Sequence, residues 1–242
     1  MVNPLEEIPT MPYLINPFTT LGNWIYPSIC PRCRLAVNKE EGLCKGCRQD
    51  LSLNDSSCPR CSIPSTEGLI CGRCLNAQSP LSESKIPFLY RPPLVKLIHR
   101  YKYRKELPLA RTLGRLFING TPTLDHTATD LLVPVPLHPS RIRERGFNQS
   151  VELARYIGKQ LDLPVTTRAV KRIRATPPQA ALPLVKRRFN IRGAFCCPEP
   201  LSVKSVAIID DVVTSGATVE ALGECLKKSG VETVKVWALA RA

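Results

Sequence analysis

Residues 206–218 read VAIIDDVVTSGAT, and this stretch decides the fold class. Four apolar residues have the composition of a buried β-strand, and two adjacent carboxylates, Asp210 and Asp211, follow at its end. A turn of small and hydroxyl residues comes next, and an apolar pattern of helical spacing begins at Val219. The order strand, turn, helix predicts an α/β protein with a mostly parallel sheet, in which ligands bind at the carboxyl ends of the strands.

The turn and the acid pair together predict a phosphorylated sugar as ligand. A turn that enters a helix points unpaired N–H groups and the positive end of the helix dipole at one spot, which suits a phosphate. Two carboxylates accept hydrogen bonds from a vicinal diol, and a diol beside a phosphate is a ribose 5-phosphate. The alternative without a ligand is a buried strand that ends in a capped turn, which is common in α/β proteins. It explains the apolar run and the turn, but it does not explain the two adjacent acids. The spacing resembles the signature of type I phosphoribosyltransferases, which bind phosphoribosyl pyrophosphate (PRPP). The predicted contacts are Asp210, Asp211, Thr214, Ser215, Gly216, Ala217 and Thr218.

Eight of the eleven cysteines form four C-x2-C pairs within 45 residues. Each set of four can surround one tetrahedral zinc with thiolates, so the segment predicts a double zinc ribbon whose folding free energy comes from the metal, on the order of 10 kcal/mol per site. There are two alternatives. The cysteines could form disulfides, or the four C-x2-C pairs (knuckles) could bind the metals in interleaved order, with the first and third knuckles on one metal. The predicted ligands are Cys30, Cys33, Cys44, Cys47, Cys58, Cys61, Cys71 and Cys74. The remaining cysteines, Cys196, Cys197 and Cys225, fall outside the pattern, and Cys225 is interpreted as a core residue.

The composition divides the chain into an apolar arm (1–29, with a helix near 14–25), the double zinc ribbon (30–75) and an α/β domain (86–242). Within the last, periodicity predicts strands and helices in alternation. The predicted strands are 86–90, 131–135, 164–170, 205–209 and 233–239. The predicted helices are 93–103, 108–118, 149–161 and 217–229.

Positive charge is unevenly placed in this chain of net charge +14. Residues 1–31 contain no Lys or Arg, whereas residues 168–192 contain eight and no carboxylate. The loop after strand 131–135 should lie beside residues 214–218, which we call the phosphate turn. The arginines of this loop suit bidentate phosphate binding. A basic surface of this kind binds either the pyrophosphate of PRPP or a nucleic-acid backbone, and a solvated charged loop is the alternative. The candidate residues are Arg141, Arg143, Arg145, Lys171 and Arg172, with the basic stretch 96–105 as a third segment.

No apolar run approaches the roughly 20 residues that span a bilayer, so no membrane insertion is expected. The N-terminus carries Glu6 and Glu7 and no positive charge, unlike a signal peptide. Cysteines that are spaced as metal ligands, in a sequence without the features of an export signal, favour the cytoplasm as the location of the protein.

The order of these segments resembles the ComF family of bacterial phosphoribosyltransferase-like proteins. The resemblance rests on V-P-V-P-L-H-x-x-R-x-R-x-R-G-F-N-Q (133–149) and T-x-x-Q-A-x-L-x-x-x-x-R-x-x-N-I-x-G-A-F (176–195), between the zinc module and the phosphate turn. Its most specific part is Arg145–Gln149. The resemblance implies a type I phosphoribosyltransferase fold, PRPP bound with Mg²⁺, Asp210 and Asp211 as catalytic residues, and a role in DNA uptake beside competence proteins such as a DNA-uptake helicase.

One departure from ordinary type I enzymes leaves the function open. Those enzymes carry a hood that holds the accepting base, and here residues 1–85 stand in the place of a C-terminal hood. Three functions fit: a working transferase that displaces pyrophosphate from PRPP, a single-stranded-DNA-binding module that uses PRPP as a ligand, and an adaptor that docks through its zinc ribbons.

Overall fold

The computed structural model describes residues 28–37, 41–76, 79–175 and 191–242. All eleven cysteines, the acid pair and the phosphate turn lie within these ranges. The helix predicted near 14–25 and the Q-A-x-L part of the basic segment lie outside the described residues.

A five-stranded parallel sheet forms the centre of the protein. Its order is β3–β9–β8–β5, and β4 also pairs with β9; every one of these pairs is parallel. The chain therefore has the predicted α/β architecture with a parallel sheet. The strands are β1 Ser28–Ile29, β2 Ala36–Val37, β3 Glu83–Lys85, β4 Phe88–Leu89, β5 Leu131–Pro134, β6 Lys171–Arg172, β7 Phe195–Cys196, β8 Ser205–Val213 and β9 Thr233–Arg241.

Helices cover both faces of the sheet. The described helices are α1 Lys45–Gln49, α2 Gly72–Asn76, α3 Leu94–Tyr103, α4 Leu109–Gly120, α5 Pro139–Arg145, α6 Gln149–Leu161 and α7 Ala217–Lys228. Side chains alternate along a strand, so Ala207 and Ile209 join the core with α3, α4 and α6, while Val206 and Ile208 join the core with α7. Strands buried on both faces explain the continuous apolar runs in the sequence.

Three local predictions differ from the structure. The strand predicted at 164–170 is wrong: only one bridge, Leu132 to Val165, forms there. The strand predicted at 86–90 is interrupted, because Pro87 has no N–H for the ladder, and β3 and β4 form on either side of it. Helix α5 was not predicted, since none of its residues is buried and it carries no apolar face.

None of the helices among the described residues is long and apolar enough to cross a membrane.

Candidate functional site

The acid pair lies inside a strand rather than after it. Strand β8 continues to Val213 because Asp210, Val212 and Val213 pair with residues 238–241 of β9. The paired acids are consequently buried, Asp210 at 9% exposure and Asp211 at 2%. Burying two neighbouring carboxylates is unfavourable unless each finds a hydrogen bond or a counter-charge.

Asp210 is held by hydrogen bonds at one oxygen. Its Oδ1 accepts from Ser150 Oγ at 3.0 Å and from the backbone N–H of Asp211 at 2.9 Å. Burial, and the charge of Asp211 next to it, raise the pKa of Asp210 to about 7, although the Lys102 ammonium opposes this shift. The Asp210 carboxyl therefore takes up a proton close to neutral pH.

Asp211 is held by an ion pair. Lys102, at the end of α3, places its Nζ 2.6 Å from Asp211 Oδ2, and only 17% of the lysine side chain is exposed. Burial acts to lower the pKa of Lys102, but the attraction of Asp211 outweighs it and the pKa is raised. The Asp211 Oδ1 atom accepts from the backbone N–H of Val212 at 3.0 Å. Lys102 therefore keeps its charge at neutral pH.

The phosphate turn has the geometry of an anion site. Residues 214–218 lie together with Asp210 around one small concavity. Gly216 is the N-cap of α7 with φ of 84°, a left-handed conformation that favours glycine, and no side chain caps this helix. The Ser215 Oγ accepts from the Ala217 N–H at 3.3 Å. The α7 N-terminus and Asp210 thus line the same concavity.

The segment Arg145–Gln149 connects three elements around the acid pair. Asn148 caps α6 by accepting from the Ser150 N–H at 3.0 Å, and its Nδ2 donates to the Val135 carbonyl at 3.0 Å. Tyr101, fully buried, donates its hydroxyl to the Gln149 carbonyl at 2.7 Å. These bonds place Ser150, at the start of α6, against Asp210.

The predicted basic residues fall into two groups. The first group lies on helix α5. Arg141 pairs with Glu144 at 2.7 Å, and Arg145 donates to Gln149 Oε1 at 2.5 Å, while Arg143 lies on the same short helix.

The second group, Lys171 and Arg172, forms β6. The Arg172 guanidinium lies 5.8 Å from the centre of the Phe195 ring. Burial lowers the pKa of Arg172, the charge of Asp210 opposes that shift and the charge of Arg141 adds to it. Arg172 therefore lies within electrostatic range of Asp210, and Arg141 lies within range of Arg172.

The eight knuckle cysteines form two tetrads in sequential pairing. Within each tetrad all sulfurs lie within 4.8 Å of one another, and the Cys33–Cys44 and Cys61–Cys71 distances are 3.5 and 3.7 Å. Four thiolates at about 2.3 Å from a tetrahedral zinc lie roughly 3.8 Å apart, so both tetrads fit the metal. Burial opposes ionisation of the Cys30 thiol, but N–H groups of Cys33 and Cys44 outweigh it and lower its pKa to about 6. The first tetrad is Cys30, Cys33, Cys44 and Cys47; the second is Cys58, Cys61, Cys71 and Cys74.

Known proteins share both parts of this arrangement. The double zinc ribbon domain matches residues 21–75, and the phosphoribosyl transferase domain matches residues 142–242. The DNA utilization protein YhgH of Escherichia coli (strain K12) is 34% identical over 221 residues, which cover 89% of this chain and 97% of that protein. The chain belongs to the ComF/YhgH family.

Other relatives in this family carry competence names. Competence protein F of Haemophilus influenzae is 32% identical and covers 88% of this chain and 96% of that protein. Competence protein ComFC of Bacillus subtilis is 23% identical and covers 82% of this chain and 83% of that protein. The predicted family is therefore confirmed over nearly the whole length of its members.

Ser150, Arg73 and Arg241 were not assigned from the sequence, and Lys102 was predicted only as one cation of the basic stretch 96–105. Ser150 lies 60 residues and Lys102 more than 100 residues before the acids they contact, and Arg73 and Arg241 reach the phosphate turn from the second ribbon and from β9. The family segment Arg145–Gln149 does point to Ser150, since its capping asparagine precedes that serine by two residues. For the other three, only the tertiary structure shows the contact.

Replacing Lys102 by methionine should destabilise the protein, because the Asp211 charge would remain buried without its counter-ion. Breaking a buried pair in this way costs about 3–5 kcal/mol of unfolding free energy. The loss should shrink as pH falls, because the Lys102 ammonium opposes the raised pKa of Asp210, so its removal raises that pKa further and protonation of Asp210 then relieves part of the uncompensated charge. Urea unfolding at pH 8 and pH 5.5 measures both effects.

Lys96→Met is the matched control, since Lys96 is exposed on the same helix. It should change the unfolding free energy by less than about 0.5 kcal/mol at either pH. Equal losses in the two variants, or a loss in Lys102→Met that does not depend on pH, would contradict the ion-pair role.

Proposed function

We propose that this protein binds PRPP with Mg²⁺, with Asp210 and Asp211 holding the ribose hydroxyls and residues 214–218 holding the 5-phosphate. The observation that carries the proposal is a buried pair of adjacent carboxylates leading directly into a glycine-containing turn at an uncapped helix N-terminus. Burying two acids costs stability, so a structural role alone gives no reason to keep both. The family's phosphoribosyl transferase domain supports the same ligand.

The pyrophosphate end of PRPP would lie on the basic side of the site. Arg172 is within electrostatic range of both Asp210 and Arg141, and Lys102 reaches Asp211 from α3. Magnesium is held best by phosphate oxygens and water with one or two carboxylates, so it would enter with the pyrophosphate.

A transferase would use this arrangement to break the bond between C1 and the pyrophosphate oxygen. The acceptor's lone pair forms the new bond at C1, and the electrons of the broken bond leave with pyrophosphate. Asp210 and Asp211 orient the ribose and, as anions, stabilise the positive charge that develops on it. Release of labelled pyrophosphate with a panel of acceptors separates a working transferase from a protein that only binds PRPP.

A second function, binding of single-stranded DNA, is favoured by helix α5. None of its residues is buried, yet it carries Arg141, Arg143 and Arg145 beside the site. A helix that contributes nothing to the core and presents cations is suited to a phosphate backbone. Relatives named for DNA utilization and competence support a role in DNA uptake. In this proposal the protein acts in the cytoplasm, beside other competence proteins such as a DNA-uptake helicase.

Replacing Asp210 and Asp211 together by asparagine should weaken PRPP binding about a hundredfold or more, because each lost charge-assisted hydrogen bond contributes roughly 1.5–3 kcal/mol. Calorimetry with magnesium and PRPP measures the change. Asp55→Asn, an exposed acid in the zinc module, serves as control and should bind as the unmodified protein does. Unchanged affinity in the double variant would refute the diol-binding role.

PRPP binding should also weaken as pH falls through about 7. Asp210 accepts strong, charge-assisted hydrogen bonds from the ribose only as a carboxylate, and its raised pKa means that it is protonated below that pH. The single variant Asp210→Asn should lose this part of the pH dependence while keeping the part due to PRPP's own phosphates. If PRPP affinity depends on pH in the same way in the unmodified protein and in Asp210→Asn, protonation of Asp210 does not control PRPP binding.

Replacing Arg141, Arg143 and Arg145 by alanine should weaken binding of a single-stranded oligonucleotide and lower the slope of log K against log salt by about 0.7 for each lost phosphate contact. A fluorescence titration at several salt concentrations gives both quantities. The control replaces three exposed lysines, Lys204, Lys227 and Lys228, which changes net charge by the same amount. Equal losses in the two variants would mean that net charge, not helix α5, governs binding.

A further inference from the structure

The second zinc ribbon touches the phosphate turn directly. Arg73 stands between Cys71 and Cys74 on α2, and its Nη1 donates to the Ser215 carbonyl at 3.2 Å. Its Nη2 lies 3.7 Å from Glu220 Oε1 in the first turn of α7 and 3.7 Å from the position that a Cβ on Gly216 would occupy. One guanidinium therefore contacts the turn and the start of its helix at once.

A second arginine joins the same two parts from the sheet. Arg241, at the end of β9, is 4% exposed, and its Nε donates to the Cys61 carbonyl at 3.1 Å. Its Nη1 donates to the Val213 carbonyl at 2.8 Å and also to the Thr214 carbonyl. The knuckle around Cys61 and the beginning of the phosphate turn thus share one buried cation.

The charge of the second tetrad explains why two arginines gather there. Four thiolates around one Zn²⁺ carry a net charge of −2, which two guanidinium groups balance. Zinc held by Cys71 and Cys74 would fix both ends of the segment that carries Arg73, and zinc held by Cys61 would fix the residue whose carbonyl Arg241 binds. Loss of the metal would therefore loosen both contacts with the phosphate turn.

The first ribbon offers a natural comparison, because its contacts run elsewhere. Leu43, Cys47 and Leu51 pack into the core that α3 and α4 share, and Arg100 of α3 donates to the Pro31 carbonyl. A Cβ on Gly42 would lie 3.3 Å from the backbone of Thr112 in α4. Among the described residues, the contacts of this ribbon are with α3 and α4 rather than with the phosphate turn.

We propose that Arg73 and the second cysteine tetrad form part of the phosphate-binding apparatus, with Arg73 as a positioning residue for residues 214–218. This rests on the proposed function and deepens it, because it assigns the 5-phosphate end of the site to two modules at once. Metal loss at the second tetrad then weakens binding of the sugar phosphate, and metal loss at the first does not.

The first test uses ligands that separate the two ends of the site. Arg73→Met should weaken binding of ribose 5-phosphate by about tenfold, the effect of one charge-assisted hydrogen bond, and leave binding of magnesium pyrophosphate within about twofold. Arg73→Lys keeps a cation that can donate to Ser215 and should recover part of the loss. Lys45→Met makes the same charge change between Cys44 and Cys47 of the first ribbon and should bind both ligands normally.

The outcomes distinguish this proposal from the function on which it rests. If the unmodified protein binds neither PRPP nor ribose 5-phosphate, the proposed function fails. If it binds both and Arg73→Met retains full affinity for ribose 5-phosphate, only the positioning role fails. Equal losses for ribose 5-phosphate and magnesium pyrophosphate would indicate a general disturbance and would also overturn the role.

A second test replaces one cysteine ligand in each tetrad and compares the two variants. Cys71→Ser and Cys44→Ser should each reduce the zinc content, measured by elemental analysis, from about two ions per chain to about one. Only Cys71→Ser should weaken ribose 5-phosphate binding and speed hydrogen exchange at the amides of residues 214–220. Similar exchange and affinity in the two variants would overturn the link between the second tetrad and the phosphate turn.

Discussion

The burial of two adjacent carboxylates in the central strand is the constraint on which the rest of the site depends. Asp210 and Asp211 lie in β8 with almost no access to water. Each needs a partner from another element, and these partners come from the starts or ends of helices that pack on one face of the sheet: Ser150 from α6 and Lys102 from α3. The packing of α3 and α6 against the sheet is therefore also what keeps the acids charged or hydrogen-bonded.

The same constraint gives the segment Arg145–Gln149 a physical purpose. Its asparagine caps α6 and bonds to Val135, whose own N–H donates to the Ile209 carbonyl next to the acids. Its phenylalanine ring lies 5.5 Å from the ring of Tyr101, which neighbours Lys102. One short segment thus orients both partners of the acid pair, and substitutions of Phe147 or Asn148 should act on the site through those partners.

Local patterns predicted the parts of the site that are continuous in sequence. The apolar run, the acids and the turn follow one another along the chain, and each C-x2-C pair is a local ligand set, so both the sheet position and the tetrads could be inferred. The side chains that contact the acids and the turn could not be inferred in the same way. Lys102 is one of several cations on its helix, and Arg73 is one of several basic residues near the C-x2-C pairs. Choosing among equivalent cations requires the distance to an acid or a carbonyl, which only the folded chain supplies. The strand predicted at 164–170 failed for a related reason: its apolar residues were present, but only one bridge joins them to β5.

The bond between Arg241 and Cys61 links residues 180 positions apart. During synthesis the ribbons leave the ribosome long before β9, so each can take up metal while the strand that receives the second ribbon does not yet exist. Contacts of such high sequence separation form late, because the chain must first close a long loop. The contact between the second ribbon and the phosphate turn is therefore completed only after translation has delivered the last strand.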